Sequence, residues 1–397
     1  MARLRLDEIA LRTGGRIVQG DPAAMFDTYN IDSRLSRPGE LFFAIVAKRN
    51  GHDFVPDALA KGARGAVISQ EIGPTGPGLA LVLVKDTVAA LQALARSVLA
   101  DKNPTVIGIT GSIGKTTTKE FTAELLSARL KVLKSEGNFN NHLGLALSLL
   151  KLQKDDRAAV LEMGTSGPGE IRTLTRIAPP DIAIITNVNP VHLEFFSSLE
   201  AIALAKKEIL DGAKPGAAAV LNGDDPLVQK IGRGWTGRRI TFGFSPACDV
   251  RASAVRKLGM DGMAFDLRLE GESRNVRAPF FYEEYIYNLL AAVGACHALA
   301  LPFESIIDGI PRLAPLSGRG SLVRLGRGIL LIDDSYNSSP KALESALKGL
   351  APLPARRRVA VLGDMLELGP EEAAMHRRAG LQVTGNGWNV LLAVGPR

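Results

Sequence analysis

Short apolar runs alternate with helical spacings along most of the chain. After residue 104 the pattern is regular, with mainly apolar runs at 106–109, 159–163, 182–186, 217–221 and 240–244. Such runs are too short for an ordinary helix and lack the polar alternation of a half-exposed strand, so they read as strands buried on both faces. Between them, Phe121, Leu125 and Ala128 recur at helical spacing from Lys115 onward, as do Ile202, Ala205 and Ile209 within 200–210. Residues 289–299 form an apolar helical stretch in which His297 reads as a core histidine. Strands alternating with helices predict an α/β fold with a mostly parallel sheet and right-handed crossovers.

The ends of the chain are built differently. Runs at 41–46, 65–68 and 81–84 predict strands, and Val88, Leu91, Leu94 and Leu99 mark a helix over 87–99. The polar, Pro-ended stretch Asp101-Lys102-Asn103-Pro104 then reads as a domain joint. A third α/β unit begins after Ser317-Gly318-Arg319, with strands at 329–332, 359–362 and 390–394 and helices at 340–350 and 371–381. The expected domains are therefore 1–103, 104–314 and 315–397. The last is smaller than the roughly 100–150 residues of a typical domain. Its final strand is followed only by Gly395-Pro396-Arg397, so it reads as a domain cut short.

Composition narrows the function classes. Of 397 residues, 46% are hydrophobic and 22% charged, which suits a globular chain rather than a disordered one. The net charge of +7 suits an acidic partner such as nucleic acid, a membrane surface or a phosphorylated small molecule, and equally well suits plain solubility. Aromatics are only 5% and do not interleave with basic runs, which argues against nucleic acid. The two cysteines, Cys248 and Cys296, make no CxxC pair, as expected of a reducing, cytoplasmic setting. Asp7 and Glu8 interrupt any signal-like start. No uncharged apolar run approaches the roughly 18 residues of a membrane span.

The strongest chemical signal is Thr110-Gly111-Ser112-Ile113-Gly114-Lys115-Thr116-Thr117-Thr118. It follows a buried strand and opens a helix, the setting in which backbone N–H groups close on phosphate oxygens. Lys115 can reach the outer phosphates and the Thr116 hydroxyl can hold Mg²⁺. The blander alternative is a Gly-rich strand-to-helix turn, and the spacing does depart from the usual one, with Ile109 at the position of the first glycine. Glu162 ends a strand, where open α/β sheets bind ligands, and it can serve a metal or simply face water. His192 follows the strand at 182–186 and can complete a metal site with Glu162 or be structural. Lys206 and Lys207, taken alone, read as a solvated helix face. The loop from Asp333 to Pro340 is placed to grip a ribose or base, with Arg319 nearby able to swing toward a phosphate. Residues 356–358 read as a solvated strand entry.

Together these motifs resemble those of the Mur ligases, the ATP-dependent amide-forming enzymes of peptidoglycan synthesis. The resemblance runs from about Asp32 to Gly395. It is carried by DSR at 32–34, PGELFFA at 38–44, the phosphate loop, GNFNNHLG at 137–144, the segments 187–194 and 333–340, and VLGDMLELG at 361–369. It implies a small α/β N-terminal domain that binds a UDP-sugar, a central P-loop ATPase-like domain with a parallel sheet, and an incomplete Rossmann-like C-terminal domain. It also implies a reaction. ATP phosphorylates the free carboxylate of UDP-N-acetylmuramoyl-tripeptide, and the amine of D-alanyl-D-alanine attacks the acyl phosphate. By motif position Lys115, Lys206 and His192 would be catalytic. Gly111, Ser112, Gly114, Lys115, Thr116, Thr117, Asn288, Arg319, Asp334 and Asn337 would contact ATP. Thr116, Glu162, His192 and a carbamylated Lys206 would serve Mg²⁺, and Ser33, Arg34, Asn140 and Asn141 would contact the UDP-sugar peptide. A cytoplasmic monomer without nucleic-acid partner or membrane insertion is expected.

The sequence departs from the family at several points. Ile113 stands where relatives carry Asn or a small residue, Tyr282-Glu283-Glu284-Tyr285 replaces a Gly-x-His-Asn run, and Ser338-Ser339 replaces Ala-Asn. The alternatives are another Mur-type or folylpolyglutamate-type ligase, and a nucleotide-binding homologue without turnover.

Overall fold

The computed structural model describes residues 2–73, 76, 78–190 and 194–397. Its chain forms two compact units. One comprises Met1–Val106, Leu130–Met163 and Thr173–Pro179, the other Ile107–Arg129, Gly164–Arg172 and Pro180–Arg397.

In the first unit five strands lie in the order Arg16–Gln19, Ala80–Leu83, Gly65–Ile68, Leu41–Phe43 and Tyr29–Asn30. The outer pair Arg16–Gln19 and Ala80–Leu83 is antiparallel and the rest are parallel. Phe42, Ala44, Ala66, Ile68 and Leu81 pack with Val55 and Ala58 as one core cluster. The helix Thr87–Lys102 starts where the Asp86 carboxylate accepts from the N–H groups of Val88 and Ala89. It stops at left-handed Asn103, one residue before Pro104. Both ends follow ordinary capping chemistry.

In the second unit seven consecutive strands of one sheet run Glu272–Ala278, Met263–Leu269, Val250–Lys257, Arg239–Gly243, Ala218–Asn222, Ile182–Ile185 and Thr105–Thr110. From Val250–Lys257 to Thr105–Thr110 the pairing is parallel, as the apolar runs predict. The three strands of 250–278 are antiparallel, contrary to the expectation of uninterrupted α/β alternation. Their residues alternate between buried and exposed, the period of a half-covered strand. The last two strands are joined by the two-residue turn Glu270-Gly271, both at positive φ (50° and 88°), as a type I′ hairpin requires.

The helix Glu283–Ala298 buries Ile286, Leu289, Leu290 and Val293, but His297 near its end is not a core residue. His297 Nε2 meets the Arg238 guanidinium at 2.6 Å and Glu270 at 3.5 Å, at the edge of the protein. Burial and Arg238 lower its pKa while Glu270 opposes them, burial being the largest effect. Ala128 is exposed, because the helix Lys115–Ser127 ends before it.

The C-terminal residues place Ser321–Arg324 antiparallel to Leu330–Asp333, and Val359–Gly363 parallel to Val390–Val394. Helices Pro340–Leu350 and Glu372–Gly385 supply Leu347 and Val383 to a small core with Ala360. Among the described residues no helix is long and apolar enough to cross a membrane.

Candidate active site

The strand Thr105–Thr110 is buried, and the chain leaves it through Gly111 into a loop that opens the helix Lys115–Ser127. A Cβ on Gly111 would collide with the Thr186 hydroxyl, so only glycine lets the two segments close up. Gly114 stands at the helix N-cap with φ 86°, and a Cβ there would collide with Asn288 Oδ1. Asn288 is thereby fixed against the loop, where it also accepts from Thr118 Oγ1 at 3.3 Å. Lys115 folds back over its own loop, with Nζ donating to the carbonyls of Gly111 (2.8 Å) and Ser112 (3.1 Å). A cation resting on two neutral carbonyls at a helix N-terminus has an obvious better partner in an anionic phosphate.

The same unit buries Lys206. It lies on the helix Leu199–Asp211 and is 2% exposed. Burial, and secondarily the charge of Lys115, hold its pKa well below the usual lysine value. Two lysines that repel each other therefore sit close together, one on the phosphate loop and one in the interior. The solvated-face reading fails for Lys206 but holds for Lys207, which pairs with Asp211 one turn on. Two residues after Lys206, the buried Glu208 carboxylate accepts from the N–H groups of Gly169 (2.7 Å) and Arg172 (2.9 Å). It thus caps the helix Glu170–Ile177 from outside.

Arg319 stacks on the Tyr336 ring, its guanidinium carbon 4.1 Å from the ring centre, and its carbonyl accepts from Tyr285 OH. The Asp333 carboxylate accepts from the N–H groups of Gly318 and Ser335, which fixes this loop. Asp334 has a raised pKa of about 6, because protein crowds its carboxyl and Asp333 is adjacent, with Arg319 opposing. Asn337 is exposed and turns its oxygen to Ser338 N–H.

In the other unit, Glu162 ends the strand Ala158–Glu162 and is 3% exposed. Its Oε1 accepts from Asn140 Nδ2 at 3.0 Å, and its N–H donates to Ser135 Oγ. Asn140 and Glu162, predicted for different ligands, therefore stand together. Asn141 uses its oxygen to cap the helix His142–Leu149, accepting from Leu143 and Gly144 N–H. Ser33 is buried, and its carbonyl accepts from Lys61 Nζ. Arg34 is exposed and pairs with Asp32. His192 lies outside the described residues.

The middle of the chain, residues 109–296, matches the Mur ligase middle domain, and residues 318–397 match the Mur ligase glutamate ligase domain. The chain belongs to the Mur ligase family. Among relatives of this Mur ligase is the UDP-N-acetylmuramoyl-tripeptide–D-alanyl-D-alanine ligase of Bacillus subtilis. The two are 34% identical over 89% of this chain and 76% of that one. Of solved structures, MurF from Acinetobacter baumannii superposes with a TM-score of 0.92 at 29% identity, covering all of this chain and 86% of that one. MurF ligase from Thermotoga maritima, in complex with ADP, gives 0.82 at 32% identity over 92% and 83%.

Sequence reasoning did not single out Thr186, Asn187, Asn222 and Asp225, which hold the phosphate loop in this Mur ligase. Thr186 Oγ1 and the Asn187 amide bond the main chain of Ile113, and Asn222 Nδ2 and Asp225 Oδ2 hold the segment that carries them. The available signal was the pair of polar residues ending an otherwise apolar strand.

Proposed function

We propose that this Mur ligase is an ATP-dependent amide ligase that adds D-alanyl-D-alanine to UDP-N-acetylmuramoyl-tripeptide in peptidoglycan precursor synthesis. The observation that carries the reading is a phosphate loop of the right shape, with Lys115 at its mouth, in a chain that matches tripeptide ligases along most of its length.

Lys115 would leave the carbonyls of Gly111 and Ser112 for the outer phosphates of ATP, while the N–H groups of 114–117 face the same anion. Asn288, Arg319, Asp334 and Asn337 border the nucleotide. Ser33, Arg34, Asn140 and Asn141 serve the UDP-sugar peptide, with Asn141 acting through the helix it caps. The carboxylate of the tripeptide takes a phosphoryl group, and the dipeptide amine displaces it as phosphate.

By motif position Thr116 and Glu162 would hold magnesium. Each is an oxygen donor of the right kind, Thr116 by its hydroxyl and Glu162 by a buried carboxylate bonded to Asn140 in its own unit. When bound, the ion would neutralise charge on the phosphates and the acyl oxygen. His192 would contribute a ligand, on its sequence position alone. Lys206, whose ammonium form is disfavoured by burial, would take up CO₂ at its neutral amine as a carbamate, releasing a proton and setting an anion near Lys115. The enzyme would work in the cytoplasm as a monomer.

The reading is tested by incubating the chain with ATP, Mg²⁺, the tripeptide nucleotide and D-alanyl-D-alanine and weighing the product. The expected mass is that of the two substrates joined with loss of water. Recovery of unreacted substrates alone would overturn it.

A further inference from the structure

One amide meets both main-chain groups of Ile113 in the phosphate loop. Ile113 N–H donates to Asn187 Oδ1 at 2.9 Å, and Asn187 Nδ2 donates back to Ile113 O at 2.9 Å. One side chain thus satisfies both main-chain groups of the residue that leads into Gly114. Ile113 has no polar side chain with which to brace the loop itself, so it is held through its main chain.

The clamp stands on a fixed platform. Asn189 Nδ2 donates to Asn187 Oδ1 at 3.0 Å, which together with the Ile113 bonds leaves only one orientation for the amide. Ser112 and Asn189 exchange two bonds, hydroxyl to carbonyl at 3.0 Å and N–H to hydroxyl at 2.9 Å. Ser112 N–H donates to Asn187 O at 3.0 Å, and Thr186 Oγ1 donates to Ile113 O at 2.7 Å. The platform itself is tied down where Asn222 Nδ2 donates to Thr186 O (2.9 Å) and Val188 N–H to Asp225 Oδ2 (2.8 Å).

We infer that Asn187 is a positioning residue for the outer phosphates of the nucleotide: through the main chain of Ile113 it fixes the path of the loop from Ser112 to Lys115. The inference rests on reading this loop as the nucleotide site. Asn187 does not reach the phosphates. It acts through the main chain, since its two bonds to the loop both go to Ile113. An aspartate at 187 would keep the bond from Ile113 N–H but set a carboxylate oxygen against Ile113 O, two acceptors face to face.

The test compares ADP and AMP binding by calorimetry on the full chain, wild type, Asn187→Ala and Asn187→Asp. Melting temperature and UDP binding are measured on the same samples. AMP lacks the β-phosphate that the loop would hold, so it reports everything but the loop. We expect both variants to lose at least tenfold in ADP affinity (about 1.4 kcal/mol). AMP and UDP affinities should stay within threefold and melting within a few degrees. ADP affinity within threefold of wild type in either folded variant would overturn the inference. So would equal losses for ADP, AMP and UDP with a lowered melting temperature, because that is the mark of a residue that merely supports the fold. A wild-type chain that bound ADP no better than AMP would instead overturn the nucleotide reading of the loop, a distinct result.

Discussion

Replacing Lys206 by methionine should make the protein more stable and inactive. The amine is buried and Lys115 repels its charged form, so the native state carries a desolvated amine. Methionine keeps most of the apolar stem and removes the ionisable group. Each unit of pKa depression represents about 1.4 kcal/mol of native-state penalty once the unfolded chain is protonated. Buried charged groups replaced by apolar ones of similar size return about 1–4 kcal/mol. For a unit of this size each kcal/mol moves Tm by roughly 2–4 °C. The pH dependence identifies the cause. In the unfolded chain Lys206 titrates near 10.5, and in the native chain well below it. Between those values the unfolded state holds a proton that the native state lacks, so the site's contribution to stability falls as pH falls. The methionine variant's advantage should therefore be largest near neutral pH and vanish as pH approaches 10.5. Thermal melts in CO₂-free buffer across that range, beside a turnover assay at pH 7.5, measure both. A variant less stable than wild type at neutral pH, an advantage that does not shrink with rising pH, or retained turnover would refute the reasoning.

Lys115→Ala should abolish turnover while leaving Tm within a few degrees, since its bonds to Gly111 and Ser112 lie within the loop itself; wild-type-like phosphate release would remove it from the site. Gly114→Ala must hold a left-handed φ, at roughly 1–2 kcal/mol, and push Asn288 aside, so ADP titration should show at least tenfold weaker binding; unchanged affinity would contradict the loop geometry. His52 is buried and neutral, accepting Ser69 N–H at Nε2 (2.8 Å) and bonding Asn50 through Nδ1 (2.7 Å). Burial lowers its pKa, with Asp53 opposing, so the unfolded chain protonates first and stability falls as pH drops through about 6.5. Melts from pH 7.5 to 5 should show a steeper loss for wild type than for His52→Gln, and equal slopes would reject the assignment.

Most of the central sheet was legible because its strands are buried on both faces and leave short apolar runs. The strand-to-helix turn at 110–115 was legible because it follows a buried apolar run and its glycines have a steric reason to be there. The hairpins of 250–278 were missed because half-covered strands carry only a weak alternation, and Glu270-Gly271 is an unassuming turn. His297 was misread because an apolar helical stretch does not reveal that its last turn emerges beside Arg238. Lys206 was the opposite case: two adjacent lysines look alike in sequence, and only the packing of Ile202, Ala205 and Ile209 buries one and leaves the other paired with Asp211. Asn187 needed the structure altogether. Its partners are main-chain atoms, which no sequence pattern displays.

The central claim is that one site couples ATP to an amide bond between two particular substrates. Phosphate release from ATP, followed with the tripeptide nucleotide and D-alanyl-D-alanine added singly and together, tests it most directly. The account predicts release only when both are present. No release with both at saturation with ATP and Mg²⁺, or release at the same rate without the dipeptide, would contradict it.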